Sequence, residues 1–145
     1  MLKLVNYWEY GRIGLGTRRM GKIEKEIEIV GQKEKKKLKA LFDSGADTNY
    51  VRTEFSDGIS AEELGFIRYR TFRRIKLGDG RYNLGEVVTF PQLIIDDVSI
   101  EKPEMIIMKG LPYDAVIGAF LMQQLRITLN MGKNRLNGKN LAGTK

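Results

Sequence analysis

The stretch Lys39-Ala40-Leu41-Phe42-Asp43-Ser44-Gly45-Ala46-Asp47-Thr48 decides the fold of this chain. Three apolar residues run directly into a carboxylate, a hydroxyl and a glycine. A carboxylate at the end of a buried strand costs free energy unless it is hydrogen-bonded, paired or protonated. Ser44 suits a tight turn, because its hydroxyl can bond to nearby backbone. Gly45 lets another backbone or a ligand approach closely. The tripeptide Asp43-Ser44-Gly45 occurs once in the 145 residues.

The chain contains no His and no Cys. That composition excludes Ser-His-Asp and Cys-His hydrolases, imidazole metal sites and disulfides. Carboxylates, Lys, Tyr, Ser and Thr remain as chemical groups. One carboxylate alone is a weak hydrolytic catalyst. Two that share a proton present an acid and a base together, since like charges a few ångström apart resist ionising at once. Such a pair needs no metal and no cofactor, and none is expected here. Asp96-Asp97 with Glu101 and Glu104 lack the spacing of a calcium loop and read as a solvated turn.

At 42% apolar and 30% charged residues, the composition is that of one globular domain with its own core. No apolar run approaches the roughly 18 residues of a membrane span. Met1 to Tyr10 lacks the apolar core of a signal peptide. The expectation is a cytoplasmic protein with no membrane partner. The net charge of +7 is concentrated locally: nine Lys/Arg and four Glu lie between Arg18 and Lys39, and six Lys/Arg against one Asp lie between Arg68 and Arg81. Solvated strand faces account for these runs. Nucleic acid is a less favoured partner, because Tyr69, Phe72 and Tyr82 show no spacing that demands base stacking.

Period-two alternation predicts many short strands. Ile23, Ile27 and Ile29 alternate with Glu24, Glu26 and Glu28 in a strand over 22–30. After a turn at 31–34, Lys35 to Phe42 returns with Leu38, Ala40 and Phe42 on one face. Asn49-Tyr50-Val51 is a short strand beyond the Asp43 turn. Ser60 and Glu63 form a capping box for a short helix that Gly65 stops. Residues 66–77 and 81–90 flank a hairpin tip at Gly78-Asp79-Gly80. Further strands fall at 93–95, 98–100, 105–108 and 115–118, then a helix over 119–125 and strands over 126–131 and 135–136. Residues 1–20 read as an N-terminal extension, 21–136 as the domain, and 137–145 as a flexible tail. The fold class is all-β, a single-domain closed barrel with one or two short helices.

These features together resemble the retroviral-type, or retropepsin-like, aspartic protease family. The Asp-Ser-Gly-Ala turn after an apolar strand is similar to that family's active-site turn. The Ala-Glu-Glu-Leu-Gly helix over 61–65 matches its cellular members in spacing. The glycine-tipped hairpin at 78–80 falls where the family has its flap. Ala115-Val116-Ile117-Gly118, the 119–125 helix and Arg126-Ile127-Thr128-Leu129-Asn130 resemble its closing elements.

The resemblance implies an aspartic endopeptidase acting on peptides or unfolded proteins. Asp43 would be the catalytic carboxylate, with Ser44 and Gly45 bracing the turn. Ala46, Asp47, Gly78, Asp79, Gly80 and Val116 would contact substrate, and Ile117 and Gly118 would support the turn from beneath. Two-lobed members carry two such turns on a chain about twice as long. A single turn on one domain therefore implies a homodimer, with one Asp from each chain. One departure concerns Asp47: many viral members place Arg after the glycine of the closing element, where this chain has Ala119, so a cation for Asp47 is sought among residues 68–81. Two other readings stay open, a non-catalytic dimerisation or peptide-binding module on the same fold and a basic nucleic-acid-binding barrel.

Overall fold

The Ile/Glu alternation builds the first strand, β1 (Lys22–Val30), with Ile23, Ile27 and Ile29 buried. A turn closed by the Gly31 N–H donating to the Glu34 carbonyl (2.8 Å) leads into β2 (Lys35–Asp43). The two strands pair antiparallel from Lys22 opposite Asp43 to Val30 opposite Lys35. The chain is seen in a computed structural model that describes residues 22–76, 80–126, 128–130 and 135–138. The extension expected over 1–20, most of the tail, and Gly78 and Asp79 of the hairpin tip lie outside the described residues.

β3 (Tyr50–Arg52) follows the Asp43 turn, then a 3-10 turn over Ala61–Leu64. The capping box expected there is present: the Ser60 hydroxyl accepts from the Glu62 N–H, and the Ser60 N–H donates to Glu63 Oε2, each at 3.2 Å. Gly65 ends the turn at φ +81°. The basic segment forms β4 (Ile67–Lys76), which pairs with β5 (Tyr82–Thr89). β6 (Gln92–Ile95) and β7 (Val98–Glu101) make a small hairpin. Its turn residue Asp96 forms an ion pair with Lys25 (3.0 Å), a structural role for one of the paired aspartates. β8 (Glu104–Met108) and β9 (Ala115–Ile117) precede helix α1 (Ala119–Gln124). β10 (Thr128–Asn130) and β11 (Arg135–Asn137) pair with each other. β11 thus carries regular structure one residue into the stretch expected to be tail.

Among the described residues, nine strands form one sheet in the order β4-β5-β8-β3-β9-β2-β1-β6-β7. The closed barrel expected from sequence is not what forms: among the described residues the sheet is open, with β4 and β7 at its edges. The physical reason lies in burial. A barrel has one packed interior, but this sheet covers both of its faces. Phe42, Ala40, Val51, Val88 and Ile117 enter one core cluster. Leu41, Tyr50, Ile75, Val87, Ile106 and Val116 enter a second. The last four residues of β2 are all buried, which alternation alone does not anticipate. Each fully buried Phe, Ile or Leu in these clusters contributes about 1.5–3 kcal/mol. No helix among the described residues is long and apolar enough to cross a membrane.

Candidate active site

The Asp43 turn is positioned by a strand crossing. β9 lies between β2 and β3, parallel to the first (Leu41 opposite Val116, Phe42 opposite Ile117) and antiparallel to the second (Tyr50 opposite Val116). The chain therefore leaves β2 at Asp43, loops over the end of β9, and returns along its other side. Everything between Asp43 and Tyr50 must fold across the end of β9, where Ile117 gives way to Gly118.

Within the loop, the Ala46 N–H donates to the Asp43 carbonyl at 3.0 Å, closing a four-residue turn. The Gly45 N–H donates to Asp43 Oδ1 at 2.8 Å. This bond from backbone two residues on is the geometry Asp adopts in turns, and it fixes the carboxylate's direction. Asp43 is only 1% exposed in the single chain. Ser44 is exposed, while Gly45 and Ala46 are buried and Asp47 is half-buried.

Gly118 holds this turn in place through lack of bulk. Its backbone is extended (φ −97°, ψ 179°), so conformation does not demand glycine. Space does: a Cβ there would stand 2.2 Å from the Thr48 carbonyl oxygen and 2.7 Å from that of Ala46. The turn is then stitched to the start of α1, with the Ala119 N–H donating to the Ala46 carbonyl (2.6 Å) and Phe120 N–H to the Asp47 carbonyl (3.3 Å).

Asn49 was not among the site residues expected from sequence, yet it ties three segments together. Its Oδ1 accepts from the Gly118 N–H (3.0 Å), its Nδ2 donates to the Glu104 carbonyl (3.3 Å), and its own carbonyl accepts from Ile106 N–H (2.9 Å). The one available signal was an amide placed immediately before the apolar pair Tyr50-Val51.

Tyr50 is fully buried. Burial pushes its phenol above the ordinary range, the Asp47 carboxylate pushes it further the same way, and the Arg73 guanidinium opposes them. Arg73 thus brings a positive charge from the basic β4 strand toward the Tyr50 phenol. It sits opposite Gly85 in the sheet.

The remaining expected residues are distributed as follows. Val116 is fully buried between Leu41 and Tyr50, and Ile117, opposite Phe42, lies in the other core cluster. Gly80 is exposed at φ +91°, a left-handed conformation that favours glycine. The hairpin reaches the site through Ile75 and Val87, which share a cluster with Ala46, Tyr50 and Val116.

The overall fold has counterparts in solved structures. The retroviral protease-like domain of Ddi1 from Leishmania major superposes with a TM-score of 0.54 at 17% identity, covering 83% of this chain and 90% of that one. A retropepsin-like aspartic protease from Rickettsia conorii gives a TM-score of 0.50 at 14% identity, covering 75% and 76%. No protein-family model and no curated protein sequence matches the chain. The fold is therefore that of retropepsin-like aspartic protease domains. At these identities the likeness concerns architecture.

Proposed function

We propose that the protein is an aspartic endopeptidase that works as a homodimer, with Asp43 of each chain forming a shared dyad. The observation that carries this reading is the Asp43 carboxylate, held by Gly45 N–H in a turn docked on Gly118. In the dimer the two carboxylates share one proton. The ionised one takes a proton from a bound water as that water attacks the scissile carbonyl carbon, and the protonated one gives its proton to the carbonyl oxygen. Collapse of the tetrahedral intermediate passes a proton to the leaving amine and restores the dyad. Asp43 is covered by its own chain, so pairing with the partner's carboxylate and binding a water require the covering residues to move. Once paired, a low dielectric strengthens the interaction between the two carboxyl groups.

In this reading the exposed Ser44 meets the partner turn, and Gly45 admits the substrate backbone. Ala46, Asp47 and Val116 border the cleft, and Gly78, Asp79 and Gly80 cap it. Ile117 and Gly118 support the turn. Ile75 shares a cluster with Ala46 and Tyr50, so substrate entry requires the β4–β5 hairpin to lift. The test compares wild type with Asp43→Asn on a diverse peptide mixture from acid to neutral pH. Cleavage by wild type alone supports the proposal. Cleavage by both removes Asp43 from the mechanism, and cleavage by neither favours a binding module.

A further inference from the structure

β4 is an edge strand of the sheet among the described residues, and its ten residues, Ile67–Lys76, include five cations and no acid. Ile67 to Phe72 are all exposed. A long exposed edge is a template for another strand, and proteins blunt such edges with cations and bulges. This edge has both, since its register shifts between Arg68 and Phe72 and Arg70 adopts φ +59°. It also displays what blunting does not call for. Tyr69, Phe72 and Leu84 are 48%, 54% and 63% exposed. Phe72 and Leu84 border an open groove of about 470 Å³ whose lining includes Phe66 and Ile107.

Arg68 and Lys109 line the groove, and Arg70 and Arg74 lie on β4 outside its lining. Arg68 is engaged by Glu62 and by Glu86 (2.8 Å). Arg74 stacks over the Tyr82 ring at 4.3 Å, which fixes its position and leaves its charge available. Arg70 is exposed on the bulge. A second copy is a poor occupant, because β4 against β4 opposes five cations with five. Polypeptide is favoured over nucleic acid because an unpaired strand edge offers backbone N–H and C=O groups to a second strand, and Leu84 and Ile107 add aliphatic surface to the aromatics Phe66 and Phe72.

We propose that this edge and groove form a docking site for an extended polypeptide segment rich in acidic and β-branched residues. The segment adds to β4 as a strand, its carboxylates reach Arg70 and Arg74, and its apolar side chains cover Phe72 and Leu84. The groove's lining includes none of residues 43–49 or 116–118, so the proposal does not rest on the Asp43 dyad.

Binding is measured by fluorescence anisotropy on the full chain carrying Asp43→Asn, so that cleavage cannot consume the probe. The probe is a labelled peptide of Glu, Val and Thr long enough to span β4. Saturable binding that weakens with salt is expected. Methylating alternate backbone amides of the peptide should weaken it by about tenfold. The double variant Arg70→Glu/Arg74→Glu should weaken it by about tenfold or more. Lys35→Glu/Lys37→Glu, an equal change of charge on exposed β2 positions, should leave it intact. Phe72→Ser/Leu84→Ser gives a second route to the same loss, with circular dichroism confirming the fold of each variant. The proposal is overturned if the peptide does not bind, if a Lys-for-Glu peptide binds equally, if the β2 variant loses as much, or if oligothymidine binds the site more tightly than the peptide.

Discussion

The Oδ1 of Asn49 accepts the backbone N–H of Gly118 at 3.0 Å. Through this bond the strand that leaves the Asp43 turn is joined to the end of the strand inserted beside it. The same side chain donates to the Glu104 carbonyl, so one buried amide sets the turn against both β9 and β8.

Asn49→Leu removes both partners at once and leaves the Gly118 N–H without its acceptor. A loss of about 1–3 kcal/mol is expected, the usual effect of orphaning a buried polar group. Urea unfolding of the two proteins measures it. Asn49→Asp keeps the acceptor and loses the donor, so it too should destabilise at neutral pH. It should recover part of that loss in acid, where the protonated carboxyl can donate.

Gly118→Ala should destabilise by about 1–3 kcal/mol, the range for forcing extra volume into a packed site. The added Cβ meets backbone oxygens of Thr48 and Ala46 rather than a mobile side chain, so the turn itself must shift. Thermal unfolding reads the stability, and amide exchange of residues 43–48 reads the displacement. Unchanged exchange there would contradict the docking of the turn on Gly118.

Tyr50 supplies a pH dependence. Its phenol is raised above the ordinary value of about 10 by burial first and by Asp47 second. The unfolded chain therefore ionises before the folded one. The stability from Tyr50 is full below the unfolded value and is lost as pH rises above it toward the folded value. Urea unfolding across the alkaline range should show this loss in wild type and much less of it in Tyr50→Phe. At neutral pH Tyr50→Phe should cost about 0.5–1.5 kcal/mol, the usual contribution of a buried hydroxyl.

The strands were legible because their side chains alternate: β1 spans the predicted residues, and the paired Ile and Glu residues explain why. The 3-10 turn at 61–64 was legible from Ser60 and Glu63, whose reciprocal bonds are local. The open sheet was not. β2 is apolar on both faces near its end, and which partners cover those faces depends on β9 and β5, far away in sequence. Asp43 stood out because a carboxylate ended an apolar strand. Asn49 and Tyr50 did not, since their roles arise only when β8 and β9 are brought beside them. The charge that Arg73 brings toward Tyr50 depends likewise on the fold of the β4–β5 hairpin.

The dimer that the proposed Asp43 dyad calls for should be visible without substrate. Sedimentation of the full chain should show a monomer–dimer equilibrium that shifts with concentration. Ser44→Trp, which places bulk on the exposed turn, should move it toward monomer while circular dichroism stays unchanged.

The most direct measurement mixes the two forms of the site. Wild type and Asp43→Asn are refolded together at equal amounts and fixed total concentration, and peptide cleavage is compared with wild type alone. A dyad shared between chains on a twofold axis leaves only wild-type pairs fully active, so the rate should fall to about a quarter. A rate of one half would mean that each chain carries its own complete site, and would contradict the pairing of Asp43 with Asp43.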